Sequence, residues 1–390
     1  MSRPAYRLGV FLKLEAYHSH GILRGLARFA REHPEFEILK LPQPDRFTLP
    51  ALRALQLDGL VARVSSRHDE TVLRRVGLPV VNISGQVATP GVAWVNSDDC
   101  AVGAMAFNHL WQRGYRRFAY CGNRTHLASL RRARSFKAAA LAAGCPFSSL
   151  VLPRREESTP FPEPVRRGLA KWLRTLPHPA GILGFNDRVA LELAEACHLV
   201  GLNIPRDVAL VGVGNDLTRL EFARTEITSI DLPTAQLGYE AAMTVRRLLQ
   251  QPHSPPEKLL PPPKIVTRRS TDHFAVDDEI VAMALDHIRE NQSNTIYVNE
   301  VARAAGVSRR VIEKRFLLTL GLSVYDVVQR VHLDRAKELM ANPDLTLAEI
   351  AYASGHESPR HLSLAFRRLQ QTTPGRYRAN LGWPQQPERT

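Results

Sequence analysis

Arg309, Arg310, Glu313 and Lys314 cluster in one short stretch, and Ser358, Arg360, His361 and Arg367 recur in a similar stretch further on. Guanidinium forks read guanine edges bidentately and cations hold phosphates, so this set suits double-stranded DNA. A second set, Tyr17, Arg132, Asn186, Asp187, Asn215 and Asp216, points to different chemistry. Carboxylates, amides and Arg hold adjacent hydroxyls in pairs, and an aromatic ring covers the apolar face of a sugar. The chain has no Gly-x-Ser-x-Gly elbow and no phosphate-loop lysine motif. Gly212-Val213-Gly214-Asn215 starts like a dinucleotide fingerprint, but it lacks the third glycine and reads as a strand-end turn. The 14 His form no helical metal pair with Glu, and Cys100, Cys121, Cys145 and Cys197 are not closely paired. No metal, cofactor or disulfide frame is signalled.

The first set needs two exposed helices. From Glu300 to Phe316 the chain reads as helix, turn and helix. Val301, Ala304 and Ala305 give the first helix an apolar face, and Ala302 allows a close crossing. Gly306 suits a left-handed turn, and Ser308 is a good N-cap for the second helix. Val311, Ile312 and Phe316 are expected to face inward, leaving Arg309, Arg310, Glu313 and Lys314 outside. The pattern then repeats: Glu349 to Gly355 matches Glu300 to Gly306, Ser358-Pro359 opens the next helix, and Phe366 answers Phe316. A helix from Val324 to Met340 separates the copies. Such a pair would enter successive major grooves roughly 34 Å apart.

Residues 277–380 resemble the AraC/XylS-type DNA-binding domain, through Ile350-Ala351 to Gly355, Phe366-Arg367-Arg368 and Thr373-Pro374-Gly375-Arg376-Tyr377-Arg378. The net charge of +14 is a poor guide to this domain. Residues 277–380 hold 14 Lys and Arg against 13 Asp and Glu, so most of the excess lies elsewhere. The local pattern says more, because Arg360 to Arg378 contains five Arg and no acid.

The second set lies where short apolar runs alternate with amphipathic ones. Arg7–Leu12, Gly59–Val64, Val80–Ile83, Phe118–Gly122, Gly181–Phe185 and Val208–Val213 read as buried strands. Residues 22–31, 98–112, 132–143, 165–176 and 188–200 read as helices between them. This alternation predicts parallel sheets covered on both faces, and its length predicts two lobes. A strand at 227–231, a helix at 235–249 and a strand at 265–268 complete the region, with the Pro-rich stretch 251–263 expected to loop over the surface. In open α/β sheets ligands bind beyond the carboxyl ends of the strands, which is where the second set falls.

This region resembles the sugar-sensing core of LacI-type repressors, itself similar to periplasmic binding proteins. The pieces are Val95-Asn96-Ser97-Asp98-Asp99, Phe118 to Gly122, Phe185-Asn186-Asp187, Val208 to Gly212 and Thr228-Ser229-Ile230. The resemblance implies that Arg132 and Asn186 are ligand-binding. Gly214 stands where that family often has Asp, so Asn215 or Asp216 is expected to take over the contact. A LacI-type sensor followed by an AraC-type reader resembles the xylose-operon regulators. That implies D-xylose as effector, a homodimer, and activation with RNA polymerase as a partner.

The expected fold is thus an α/β two-lobed periplasmic-binding-protein-like sensor plus an all-α domain with two helix-turn-helix units. Residues 1–269 form the sensor, 270–276 a linker, 277–380 the DNA-binding domain and 381–390 a tail. No run is long enough to span a bilayer, and no apolar leader opens the chain, so no membrane association and a cytoplasmic location are expected. The rival readings are the same architecture with another effector, and an α/β enzyme with a helical accessory domain.

Overall fold

The computed structural model describes residues 6–12, 17–87, 89, 91–153, 161–251, 257–262, 264–272, 276, 278–340, 342, 344–370 and 372–379. The chain forms two compact units that divide near residue 273. The expected tail 381–390, and the Pro-rich residues 252–256, lie outside the described residues.

In the first unit the chain lays down one sheet, β1 (Tyr6–Leu12), β2 (Phe36–Pro42), β3 (Gly59–Ala62), β4 (Val80–Asn82) and β5 (Ala93–Ser97). Helices α1 (Tyr17–Glu32), α2 (Leu49–Ala54) and α3 (Arg67–Arg75) connect its strands. It then crosses into α4 (Asp99–Gln112) and a second sheet, β6 (Phe118–Asn123), β7 (Phe147–Leu152), β8 (Ala180–Gly184), β9 (Val208–Val213) and β10 (Thr228–Ile230). Here α5 (Leu127–Ala142), α6 (Glu163–Thr175), α7 (Asp187–Leu199) and the short α8 (Leu217–Leu220) intervene. A second crossing returns α9 (Thr234–Gln250) and β11 (Glu257–Leu260) to the first lobe, and a third places β12 (Ile265–Val266) in the second. The sheet orders are β11-β5-β4-β3-β1-β2 and β12-β10-β9-β8-β6-β7. All pairs are parallel except β10 with β12.

Parallel strands need both faces covered, and both lobes comply. In the first, Leu8, Val10 and Val61 pack with Phe29 of α1 and Val245 of α9, while Leu60 and Leu73 lie in a separate core that includes α2 and α3. In the second, Ile182 and Leu210 pack with Leu173 of α6 and Leu193 of α7. Rings of Phe107, Phe118 and Phe136 contact one another on the other side. The crossing of α1 over α9 is close: a Cβ on Gly25 would lie 1.8 Å from the Ala235 carbonyl oxygen.

Three expectations need correction. The stretch 251–263 is not all loop, because β11 pairs with β5 from Glu257↔Trp94 to Leu260↔Ser97. Edge strands β2 and β7 were not expected, since their half-exposed patterns, Phe-Glu-Ile-Leu-Lys-Leu-Pro and Phe-Ser-Ser-Leu-Val-Leu, are not continuous apolar runs. Ser270 and Thr271 are not linker. Both are fully buried, Ser270 Oγ donates to the Leu210 carbonyl at 2.6 Å, and Thr271 is bonded to Thr228.

The second unit is all helix among its described residues: α10 (Glu279–Glu290), α11 (Val298–Ala304), α12 (Arg309–Leu320), α13 (Val324–Leu339), α14 (Leu347–Ala353), α15 (Pro359–Gln370) and α16 (Pro374–Ala379). Two cores are present. One joins Ile288, Val301, Ile312, Phe316 and Val327, and the other Leu333, Ile350, Leu362 and Phe366. Thus α13 contributes to both.

Gly25→Ala is expected to destabilise the first unit by about 1–3 kcal/mol through overpacking against α9. Gly168→Ala, at an exposed position of α6 with open space beside it, is expected to gain about 0.5–1 kcal/mol. Urea midpoints of the two variants check both signs.

Candidate functional site

Carboxyl ends of strands from both sheets meet at a cavity of about 260 Å³. Tyr17 enters it from the first lobe, and Arg132, Asn186, Asp187 and Asp216 from the second. Ser97, Leu232 and Thr234 of the crossings complete part of its wall. The lobes touch on both flanks. Leu127 and Ala128 amides of α5 donate to Gln86 and Gly85 carbonyls at 3.0 and 2.8 Å, and Tyr17 takes a backbone hydrogen bond from Leu217. Burial, then the nearby Asp231, raise the Tyr17 pKa above its ordinary value.

Asn186 caps α7: its Oδ1 accepts from Val189 N at 3.0 Å. Asp187 is the first helical residue, and its carboxylate turns under β9. There it accepts Ser229 Oγ at 2.5 Å and Asp216 N at 2.8 Å. Burial pushes its pKa up to about 6, against the lowering effect of those two bonds. A Cβ on Gly212 would lie 2.3 Å from Asp187 Oδ1, and Gly214 sits at φ +125° with its Cβ position 3.3 Å from Oδ2. Gly214 therefore makes room for the Asp187 carboxylate. Asn215 does not line the cavity; its Oδ1 accepts Arg268 Nη2 at 2.7 Å.

Arg132 does not open its helix but lies on the second turn of α5, which starts at Leu127. It is buried with Asp99: Nε and Nη2 both approach Asp99 Oδ1 at 2.8 Å, and Nη1 donates to the Phe185 carbonyl at 2.7 Å. Any polyol in the cavity would meet a pre-oriented fork, not a mobile cation. Asn96 and Asp99 escape the strand-end rule, because the Ala-Trp-Val-Asn-Ser run of β5 is not a continuous apolar one. His18 contacts Arg63, and burial, then that guanidinium, lower its pKa to about 3, so it is neutral. Asn96, Asp99, His18 and Arg63 all line the cavity.

In the second unit α11 and α12 meet through Gly306 at φ +68°, and α14 and α15 through Gly355 at φ +77°. Ser308 Oγ caps α12 through Val311 N at 3.4 Å, and Ser358 Oγ accepts His361 N at 3.3 Å. Ile312, Phe316 and Leu320 form the buried stripe of α12 at i, i+4 and i+8. Val311, expected inside, is 39% exposed, because it lies about 100° round the helix from Ile312. Ala304 is also exposed. Arg309 is tied to Glu313 at 2.9 Å and His361 to Glu357 at 3.3 Å. Arg315 and Arg368 pair with Asp278 and Asp326. Among the described residues Arg310, Lys314, Arg360 and Arg367 are exposed and make no ion pair. Arg310 and Arg360 each stand second in their helix, so the two copies present matching guanidinium groups.

A periplasmic binding protein-like domain matches residues 107–271 and a helix-turn-helix domain residues 301–380. The chain is 29% identical to a xylose operon regulatory protein of Escherichia coli K12 over 386 residues, covering 97% of this chain and 98% of that one. It is 23% identical to the protein of that name in Haemophilus influenzae, covering 97% and 100%. A solved structure of a xylose-binding transcription activator superposes with a TM-score of 0.62 at 25% identity, covering 96% of this chain and 98% of that chain.

Because Asp187 titrates near 6 in the fold against an ordinary 3.8, its contribution to stability is fully present below about pH 3.8 and is lost as pH rises through 6. Asp187→Asn is therefore expected to flatten the stability profile between these values. Urea midpoints across that window, compared with the parent chain, measure it; parallel profiles would contradict the assignment.

Proposed function

We infer that this chain, which has the sensor-and-reader build of the xylose operon regulatory proteins, is a sugar-responsive, DNA-binding transcriptional regulator. The observation that carries the reading is the duplication: two capped helices turn Arg310 and Arg360 outward from equivalent positions, while a polyol-sized cavity occupies the sensor. It works by binding, not by catalysis, and acts in the cytoplasm where the DNA is.

The effector is D-xylose or a closely related pentose. Arg132, Asn186, Asp187 and Asp216 hold its hydroxyls, with Tyr17 beside the ring. Sugar bound between the lobes favours the closed cleft, and the gain equals its preference for that state over the open one. The closed sensor favours a homodimer that aligns two readers on repeated half-sites, from which the protein activates transcription with RNA polymerase. At the DNA, Arg310 with Lys314 works in one major groove and Arg360 with Arg367 in the next, with Ser308 and Ser358 at the helix starts. Arg309, Glu313 and His361 add contacts once the Arg309–Glu313 and His361–Glu357 pairs open.

Arg310→Ala is expected to weaken binding to the cognate duplex by about 1–3 kcal/mol, with a smaller effect on random DNA. Fluorescence anisotropy on duplexes selected by this protein from a random library measures both. Equal loss on all sequences assigns Arg310 to phosphate. Failure to bind any duplex at low salt removes the regulatory reading. Calorimetry with pentoses and hexoses is expected to rank D-xylose first among the monosaccharides.

A further inference from the structure

The two outward helices of the reader, α12 and α15, carry the same pattern of burial. Counted from Arg309 and from Pro359, both expose positions 1, 2, 3, 6, 9 and 10. Their buried stripes coincide as well, Ile312 and Phe316 in α12 answering Leu362 and Phe366 in α15. The second position is Arg in both, as Arg310 and Arg360. At the sixth the copies part, with Lys314 in α12 and Leu364 in α15. Core packing does not explain the exchange. Leu364 is 51% exposed, while Leu362, Ala365 and Phe366 supply the buried side of its helix. Every other exposed residue of α15 after Pro359 is polar.

Leu364 stands one turn beyond Arg360 and one turn before Arg367, on the same outward stripe. Four residues advance a helix by about 6 Å, which spans about two base steps of roughly 3.4 Å each. A duplex that accepts Arg360 at its base edges therefore meets Leu364 within the same groove. Most of a major-groove edge consists of hydrogen-bond donors and acceptors. A leucine pressed against these strips their water and offers nothing in return, which is costly. The C5-methyl group of thymine is the exception, because it is apolar and has no hydrogen bond to lose. Burying it against Leu364 removes apolar surface of both partners from water. Lys314, at the matching place in the first unit, has the opposite preference. It gains at phosphate oxygens and guanine edges, and a methyl group gives it no partner.

We propose that Leu364 is a specificity-determining residue of the reader: it selects a thymine through its C5-methyl group in the half-site of the second unit, so the two half-sites differ at this base. This rests on the reading of the second unit as a DNA reader. The test uses the full chain and a duplex that it selects from a random library. Each dT is replaced singly by deoxyuridine, which removes one methyl group and keeps every hydrogen-bonding edge. Fluorescence anisotropy is expected to find a dT whose replacement weakens binding about three- to fivefold, the scale of one buried methyl group. In Leu364→Ser that replacement is expected to cost nothing. In Leu364→Met, still apolar, it keeps its cost. Lys314→Ser weakens binding to both duplexes alike and also keeps the methyl effect. Thermal melts verify that each variant folds. The proposal is overturned if no dT is methyl-sensitive, if every such sensitivity survives Leu364→Ser, or if it is lost equally in Lys314→Ser or Leu364→Met; the DNA-binding reading then still stands. If the chain selects no duplex at low salt, that reading falls and the proposal with it.

Discussion

Three short chain crossings join the two sheets of the sensor, and they are tied to one another. Asp98 N donates to the Leu260 carbonyl at 2.7 Å, and Asp231 N to the Lys264 carbonyl at 3.0 Å. Each lobe has its own core, so the lobes can change their angle only by bending at these crossings. Ser97, Leu232 and Thr234 line the inner cavity. A ligand there touches both lobes and the segments that must bend, so occupancy and lobe angle are energetically linked. β11 belongs to this device: its pairing with β5 puts the third crossing beside the first.

The cavity floor is held by buried charge, which is costly unless fully paired. Asp99 and Arg132 neutralise each other, and the Phe185 carbonyl takes a further guanidinium proton. Removing either partner would strand a charge in the core, at a cost of about 3–5 kcal/mol. Asp187 is handled differently. It has a hydroxyl and an amide as donors and no ion-pair partner among the described residues, and burial raises its pKa. Its carboxylate fits only because Gly212 and Gly214 lack side chains where it lies. The held guanidinium and the held carboxylate, both lining one cavity, form a preorganised polar surface, which lowers the ordering cost of binding.

The reader obeys a tighter steric constraint. Both turns need a left-handed residue, but the two glycines are not equivalent. A Cβ on Gly306 would meet open space, whereas one on Gly355 would lie 2.5 Å from His332 Nε2 and 2.6 Å from the Asn294 carbonyl oxygen. The second turn is thus pressed against α13 and the loop after α10. His332 and His356, both buried there, are held neutral with pKa values lowered to about 4, mainly by burial. That contact and the shared helix α13 fix how the two hairpins face relative to each other, and so where Arg310 and Arg360 stand.

By itself the sequence determined the periodic and capped features: central strands of continuous apolar residues, the paired Ser-capped helices and the glycine turns. These follow from local backbone preference and from burying one face, which neighbouring residues largely decide. It also marked Tyr17, Asn186, Asp187 and Asp216 as groups beyond strand ends and Arg132 as a helix residue, all of which line the cavity. Only the tertiary structure decided that Asn215 turns to Arg268 and that Asn96 and Asp99 join the wall. It also decided that a Pro-rich stretch yields a strand and that Ser270 and Thr271 are core. Each of these depends on a partner far along the chain, whose position no local pattern encodes.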